Sequence, residues 1–270
     1  MSLRPSIGVF DSGVGGLTVL KELVALVPAA DYLYFGDTAR LPYGSKSVET
    51  VARYAISAAR FLEEKKIELL VVACNTASAL ALPQIVEAMH VPVIGVIEPG
   101  ADAAAAASRT RKAVVIGTEG TVSSHAYQRA LAARGIEARE QACPLFVPLV
   151  EEGWTDHPVT EQVAHIYLDA LFKNGPAGAD VMVLGCTHYP LLKPLLRRLA
   201  PPAVTIVDSA ESTAQAVAAR VGAGDPARAP RDSRLTFFST DSVEKFRRLG
   251  ARFLGHPVEE VTHVDLDRLP

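Results

Sequence analysis

Two of the three cysteines in this 270-residue chain have nearly the same sequence context. Cys74 follows the apolar run VVA and precedes Asn-Thr, and Cys186 follows VLG and precedes Thr-His. Each pattern predicts a buried strand that ends at the cysteine and a helix that begins just after it. The start of a helix favours an anion and lowers the pKa of a cysteine placed there. The pattern therefore predicts two thiols that can form thiolates.

Two thiols in one cleft would suit one type of reaction. A thiolate on one face of a carbon acid removes a proton, and a thiol on the other face returns one, which inverts the stereocentre without a cofactor. The side chains of Asp11, Glu152 and His188 would control which thiol is ionised. Because the α-proton of an amino acid is weakly acidic, the cleft must be closed and must contain preset hydrogen-bond donors.

The elements that must position these thiols are short strands alternating with helices. Apolar runs such as SIGVF, LLVVA and VMVLG are typical of strands buried on both faces of a parallel sheet, and residues 47–66 have helical spacing of apolar positions. The strand ends also repeat: Asp11 and Cys74 in the first half correspond to Thr118 and Cys186 in the second, at nearly constant spacing. We therefore expect an α/β fold with mainly parallel sheets in two pseudo-symmetric α/β/α lobes, and an active site in the cleft between them.

The lobe boundary is expected near 98–101, where Pro and Gly interrupt the pattern. The first lobe would then be discontinuous, formed by residues 1–98 and 208–270, and the second would be formed by residues 99–207. The loop 222–234 has no feature that indicates a function.

Composition excludes several classes of protein. A net charge of −3, 49% hydrophobic and 21% charged residues describe an ordinary globular chain with no basic region for nucleic acid or an anionic membrane. No apolar stretch is long enough to span a bilayer. The N-terminus does not have the pattern of a secretory signal, and the cysteines form no CxxC pair, so a reducing, cytoplasmic setting is expected.

Other interpretations of the same residues are weaker. The segment 10–18, FDSGVGGLT, resembles a phosphate loop, but it lacks the Lys of a P-loop and the GxGxxG spacing; Asp11 and Ser12 would suit it to hold a carboxylate instead. Cys186 and His188 alone make a poor zinc signature, so no metal is expected. Cys143 lacks the context of the other two cysteines and is interpreted as structural.

Longer motifs give a specific resemblance. IGVFDSGVGGLTVL, YFGDTARLPYGSKS, VVACNTASA, VIGVIEPGA, CPLFVPLVEEG and VLGCTHYPLL, which span residues 7–192, resemble the glutamate racemases of the cofactor-independent aspartate/glutamate racemase superfamily. The resemblance implies that Cys74 and Cys186 are the acid/base pair, with Asp11 as the partner of Cys74 and with Glu152 and His188 as the partners of Cys186. It also implies the following substrate contacts: Asp11, Ser12, Tyr43, Gly44, Asn75, Thr76, Thr118, Thr121, Thr187 and His188.

The same resemblance implies a cytoplasmic bacterial homodimer that supplies D-glutamate for peptidoglycan, and thus for the cell wall and cell shape. It implies no cofactor, and the charge and hydropathy of the chain predict no nucleic-acid or membrane partner. Three alternatives stay open: a sister racemase acting on aspartate or another carbon acid, a non-catalytic amino-acid-binding protein, and a nucleotide-using α/β enzyme. The His-Tyr-Pro that follows Cys-Thr favours the glutamate branch.

Overall fold

A computed structural model describes residues 4–222 and 233–266. The strands are β1 Ser6–Asp11, β2 Asp31–Gly36, β3 Leu69–Val72, β4 Val93–Gly95, β5 Lys112–Gly117, β6 Glu137–Ala142, β7 Val181–Gly185, β8 Thr205–Asp208, β9 Leu235–Ser239 and β10 Val261–His263. The helices are α1 Leu17–Leu26, α2 Val48–Glu64, α3 Asn75–Ala88, α4 Ile97–Ala107, α5 Glu119–Ser123, α6 Ala126–Ala132, α7 Phe146–Glu151, α8 Pro158–Asn174, α9 Lys193–Leu199, α10 Ser209–Val221 and α11 Val243–Leu254. Strands and helices alternate along most of the chain, which confirms the α/β class.

The strands form two parallel sheets with a shared topology. One sheet has the order β10-β9-β2-β1-β3-β4, and the other has the order β6-β5-β7-β8. The segment β2-β1-β3-β4 therefore has the same arrangement as the whole second sheet. Every strand pairing in the two sheets is parallel. This matches the internal repeat of strand ends in the sequence and places β3 and β7 in equivalent positions.

Burial explains why these segments are strands. All positions of β3 and β7 are buried, because helices cover both faces of each sheet. Removing a Val, Leu or Ile side chain from water contributes about 1.5–3 kcal/mol. The uninterrupted apolar runs of the sequence thus form central strands. The polar residues that follow them lie at the carboxyl ends of these strands. No helix in the described ranges is both long enough and apolar enough to span a bilayer.

The C-terminal part of the chain extends the first sheet. β9 pairs with β2, and β10 pairs with β9. The predicted lobe boundary near 98–101 falls within α4, and Pro99 lies in the first turn of that helix, where proline is tolerated. The exact lobe bounds stay a prediction, and residues 1–3, 223–232 and 267–270, which include most of the loop 222–234, lie outside the described residues.

Candidate active site

A cleft of about 380 Å³ lies where strand ends of the two sheets meet. Residues that follow β1, β3, β5 and β7 line it, as expected for ligand sites beyond the carboxyl ends of parallel strands. Ten of the residues predicted from the sequence are in its lining: Ser12, Tyr43, Gly44, Cys74, Asn75, Thr76, Thr118, Cys186, Thr187 and His188. The three remaining predicted residues are Asp11, Thr121 and Glu152, and they lie outside the lining.

Cys74 is the residue at which β3 gives way to α3. Its Sγ caps the helix by accepting a hydrogen bond from the N–H of Ala77 at 3.4 Å, and it lies 3.5 Å from Oγ of Ser12. Burial, together with the charge of Asp11, raises the pKa of Cys74 to about 12, although the N–H of Ala77 and the hydroxyl of Ser12 act in the opposite direction. The expectation of a lowered pKa is therefore wrong for this cysteine, because desolvation outweighs the helix start. Cys74 rests as a neutral thiol.

Asp11 ends β1 beneath the cleft floor. It is buried, and its Oδ2 accepts a hydrogen bond from the N–H of Gly13 at 2.8 Å, whereas Oδ1 has no hydrogen-bond partner within the described residues. Burial raises the pKa of Asp11, while the N–H of Gly13 and the charge of His188 lower it. The structure therefore places Asp11 as a neighbour that influences Cys74, and it does not place this carboxylate in the lining where a substrate contact was predicted.

Cys186 lies at the end of β7, close to His188. His188 follows Cys186 by two residues, and its Nε2 lies 3.2 Å from Oε1 of Glu151. Burial lowers the pKa of His188, but the interactions with Cys186 and Glu151 outweigh it and raise the pKa to about 10. The bond to His188 lowers the pKa of Glu151 despite the opposing effect of burial. Near neutral pH, a positive imidazolium therefore lies beside the Cys186 sulfur.

The carboxylate that contacts His188 was predicted one residue too late. The sequence predicted Glu152, but Glu151, the last residue of α7, holds that position and lines the cleft. Glu152 follows the helix and is exposed. Successive residues of a helix differ in direction by about 100°, so only one of two adjacent glutamates can face the cleft.

Threonine hydroxyls from both halves of the chain meet at one side of the cleft. Oγ1 of Thr76 lies 2.8 Å from Oγ1 of Thr118, which lies 3.0 Å from Oγ1 of Thr121. Thr118 also caps α5, and Thr121 is fully buried behind it. Thr76 and Thr118 offer donors to an anionic ligand, and Thr121 supports Thr118.

The segment that contains Tyr43 and Gly44 borders the same threonines. The hydroxyl of Tyr43 donates to Oδ2 of the buried Asp37 at 2.5 Å, so this hydroxyl is already engaged within the protein. A Cβ on Gly44 would lie 3.1 Å from Cβ of Thr118. The absence of a side chain at Gly44 therefore lets this segment approach the second half of the chain closely.

Three charged residues of the lining are absent from the residues predicted from the sequence: Glu119, Glu151 and Lys245. Glu151 lies in the motif CPLFVPLVEEG beside Glu152, and only the phase of the helix decides which of the two faces the cleft. Lys245 comes from α11, and its Nζ lies 3.8 Å from Oε2 of Glu151. It had no local signal, since only the tertiary fold brings the C-terminal helix to the cleft.

Comparison with known proteins agrees with this geometry. Residues 7–217 match the Asp/Glu/Hydantoin racemase family model. The glutamate racemase of Koribacter versatilis is 60% identical and covers 97% of this chain and 98% of its own length; that of Geobacter metallireducens is 50% identical and covers 97% of each.

Solved structures show the same relationship. Glutamate racemase from Thermus thermophilus, in complex with β-chloro-D-alanine, has a TM-score of 0.87 at 45% identity over 100% of both chains. The enzyme from Francisella tularensis, in complex with D-glutamate, has a TM-score of 0.88 at 33% identity over 100% of both chains. With two cysteines in one cleft at equivalent ends of two parallel sheets, this chain belongs to the Asp/Glu/Hydantoin racemase family and is an isomerase.

Proposed function

We propose that this chain interconverts L- and D-glutamate, with Cys74 and Cys186 as its two acid/base groups. The observation that carries the proposal is the placement of the thiols: they follow β3 and β7, the equivalent strands of the two sheets, and both line one cleft. The relatives that are 50–60% identical over nearly their whole length are named glutamate racemases. The Francisella structure contains D-glutamate.

The two thiols have different surroundings, and we infer complementary roles for them. The positively charged imidazole of His188 lies beside Cys186, whereas burial raises the pKa of Cys74 and favours its thiol form. The Cys186 thiolate takes the Cα proton, forming an S–H bond as the C–H bond breaks. The electron pair left on Cα then takes the proton of the Cys74 thiol on the opposite face. In the reverse direction the two cysteines exchange roles.

The remainder of the lining suits a ligand with two carboxylates. The hydroxyls of Thr76 and Thr118 and the side chain of Thr187 supply neutral hydrogen-bonding groups. Lys245 supplies a positive charge at a half-exposed position. Fixed donors in a partly closed cleft stabilise the charge that develops when Cα loses its proton, which is the difficult step for an amino acid.

The proposal is tested by circular dichroism of L-glutamate incubated with the purified protein in D₂O without any added cofactor. We expect the signal to decay to zero while deuterium enters Cα. Cys74→Ser and Cys186→Ser should each abolish this decay, because a serine hydroxyl is a far weaker acid than a thiol. Cys143→Ala is the matched control: Cys143 is a buried core residue outside the cleft lining, so its variant should lose stability and keep racemising.

Each result of this test has a defined meaning. A flat signal with reduced thiols would reject the proposal. Faster racemisation of aspartate than of glutamate would assign the chain to the aspartate branch of the family. Equal losses of racemisation activity in all three cysteine variants would show that the activity does not depend specifically on the two cleft thiols.

We further propose that the product supplies peptidoglycan synthesis and that the enzyme acts as a cytoplasmic homodimer, as the family resemblance implies. The gene should then restore growth and normal cell shape to a bacterium that depends on added D-glutamate, and the Cys74→Ser variant should not. Sedimentation of the purified protein would measure the oligomeric state.

A further inference from the structure

One buried side chain outside the cleft connects the surroundings of both cysteines. Tyr127 of α6 is fully buried, and its hydroxyl donates a hydrogen bond of 2.8 Å to Oδ1 of Asn75, the residue after Cys74. Its ring packs against Gly185, the residue before Cys186: a Cβ on Gly185 would lie 3.0 Å from Cε2 of Tyr127. The two contacts are therefore each one residue away from a cleft thiol, and they lie in different halves of the chain.

The space for this ring is provided by glycines on two elements. In addition to Gly185 at the end of β7, Gly100 in α4 lies so close that a Cβ there would be 3.1 Å from Cε1 of Tyr127. Contacts of 3.0–3.1 Å are tighter than carbon atoms normally allow, so a larger residue at either position would displace the ring. The ring of Tyr127 is therefore closely packed between these two glycines.

The amide of Asn75 is held at both ends. Its Oδ1 accepts from Tyr127, and its Nδ2 donates to Oγ of the buried Ser209 at 3.1 Å, at the start of α10. An asparagine amide has two N–H donors and one carbonyl oxygen. With these two bonds made, one N–H of Asn75, which lines the cleft, is left for a ligand.

We propose that Tyr127 is a positioning residue for racemisation, acting on the ligand through the amide of Asn75. The inference rests on the proposed function, since the ligand in question is glutamate. Removing the hydroxyl would leave Oδ1 of Asn75 buried without its donor and would free the amide to turn. The N–H offered to the substrate would then be misplaced, although Tyr127 itself touches no substrate.

The test is a double-mutant cycle on kcat/KM for L-glutamate, with kcat and KM measured separately for the wild type, Tyr127→Phe, Asn75→Ala and the double variant. Phenylalanine keeps the ring packing and removes only the hydroxyl. We expect Tyr127→Phe to lower kcat/KM about tenfold, mainly by raising KM, because the substrate loses a fixed donor in the ground state and the transition state alike. In the Asn75→Ala background, loss of the hydroxyl should have almost no further effect, because the amide through which it acts is gone.

Tyr32→Phe is the matched control. Tyr32 is also fully buried, and its hydroxyl donates to the carbonyls of Leu23 and Val27 at 2.9 Å, within the first sheet and its helices. This variant should lower the melting temperature as Tyr127→Phe does and should leave kcat/KM within about twofold of the wild type.

The outcomes separate the two levels of inference. Suppose that the wild type racemises glutamate and that the fold-loss in kcat/KM of the double variant equals the product of the fold-losses of Tyr127→Phe and Asn75→Ala. The positioning role is then overturned and the proposed function stands. If Tyr32→Phe lowers kcat/KM as much as Tyr127→Phe does, the effect reflects general loosening, and the positioning role is again overturned. If the wild type turns over no glutamate, the proposed function fails, and the positioning role fails with it.

Discussion

Glu151 and His188 form an ion pair next to Cys186, with Oε1 of Glu151 lying 3.2 Å from Nε2 of His188. The two residues come from different elements, α7 and the turn after β7, so the pair depends on how these two elements pack. Their side chains are 22% and 10% exposed, which leaves little water to screen the attraction. The pair thus keeps a positive charge beside the thiol.

The first prediction compares two adjacent glutamates. The interactions with Cys186 and with Glu151 both raise the pKa of His188. Glu151→Gln weakens the second of them, so that pKa should fall and racemisation should slow about tenfold or more. Both effects are measurable, the first by an NMR titration of the His188 ring and the second by the decay of the dichroism signal. Glu152→Gln is the control, because its exposed side chain lies outside the lining. Equal effects of the two substitutions would contradict the assignment of Glu151.

The second prediction concerns stability against pH. The pKa of His188 is raised from 6.5 to about 10 in the folded protein, so its stabilisation is complete below pH 6.5 and is lost as the pH rises through about 10. The pKa of Glu151 is lowered from 4.5, so its stabilisation is complete above pH 4.5 and is lost as the pH falls further.

Urea unfolding of the wild type and of His188→Gln at several pH values measures this difference. The difference in the free energy of unfolding should be largest between about pH 4.5 and 6.5 and should shrink as the pH approaches 10. A difference that grows from pH 7 to 10 would show that the folded protein holds His188 neutral.

The fold and most of the site could be predicted from the sequence because the signals are local. An apolar run followed by Cys74 and Asn-Thr specifies a buried strand, a helix start and a thiol at the junction, and the same holds for Cys186. Equivalent strands of two similar sheets then bring the two junctions to one cleft. No long-range information was needed for this step.

The parts that could not be predicted depend on helix phase, burial and tertiary packing. The orientation of α7 about its own axis decides whether Glu151 or Glu152 faces the cleft. The position of α11 in the tertiary fold brings Lys245 to the cleft. Predicting the high pKa of Cys74 requires the extent to which the folded protein buries its side chain, and a sequence motif does not give that extent.

The third prediction concerns Lys245, whose side chain is half-exposed where it meets Glu151. In Lys245→Gln, kcat/KM for glutamate should fall about two- to fivefold at low salt and by less at high salt, because the cleft loses a charge that attracts an anionic substrate. The change in kcat should be small, since exposed ion pairs contribute little. Lys173→Gln, at an exposed position of α8, is the control. A salt-independent loss in kcat would instead place Lys245 in the chemical step.

The fourth prediction concerns a close approach between the loop after β1 and the residues after Cys186. A Cβ on Gly15 would lie 2.5 Å from Nδ1 of His188 and closer still to Oγ1 of Thr187. Gly15→Ala must therefore push these two segments apart, and a shift of about 1 Å in the acid/base groups can cost about a hundredfold in rate. Overpacking should also lower the free energy of unfolding by about 1–3 kcal/mol.

Gly13→Ala, two residues earlier in the same loop, separates this steric effect from the loss of a glycine as such. A Cβ there would meet the flexible end of Leu41 at 3.2 Å, which can move aside. We expect the racemisation rate to fall far more in Gly15→Ala than in Gly13→Ala, with the titration of His188 disturbed only in the former. Similar rates in the two variants would mean that the two strand ends can separate without loss of activity, and that their spacing does not limit proton transfer.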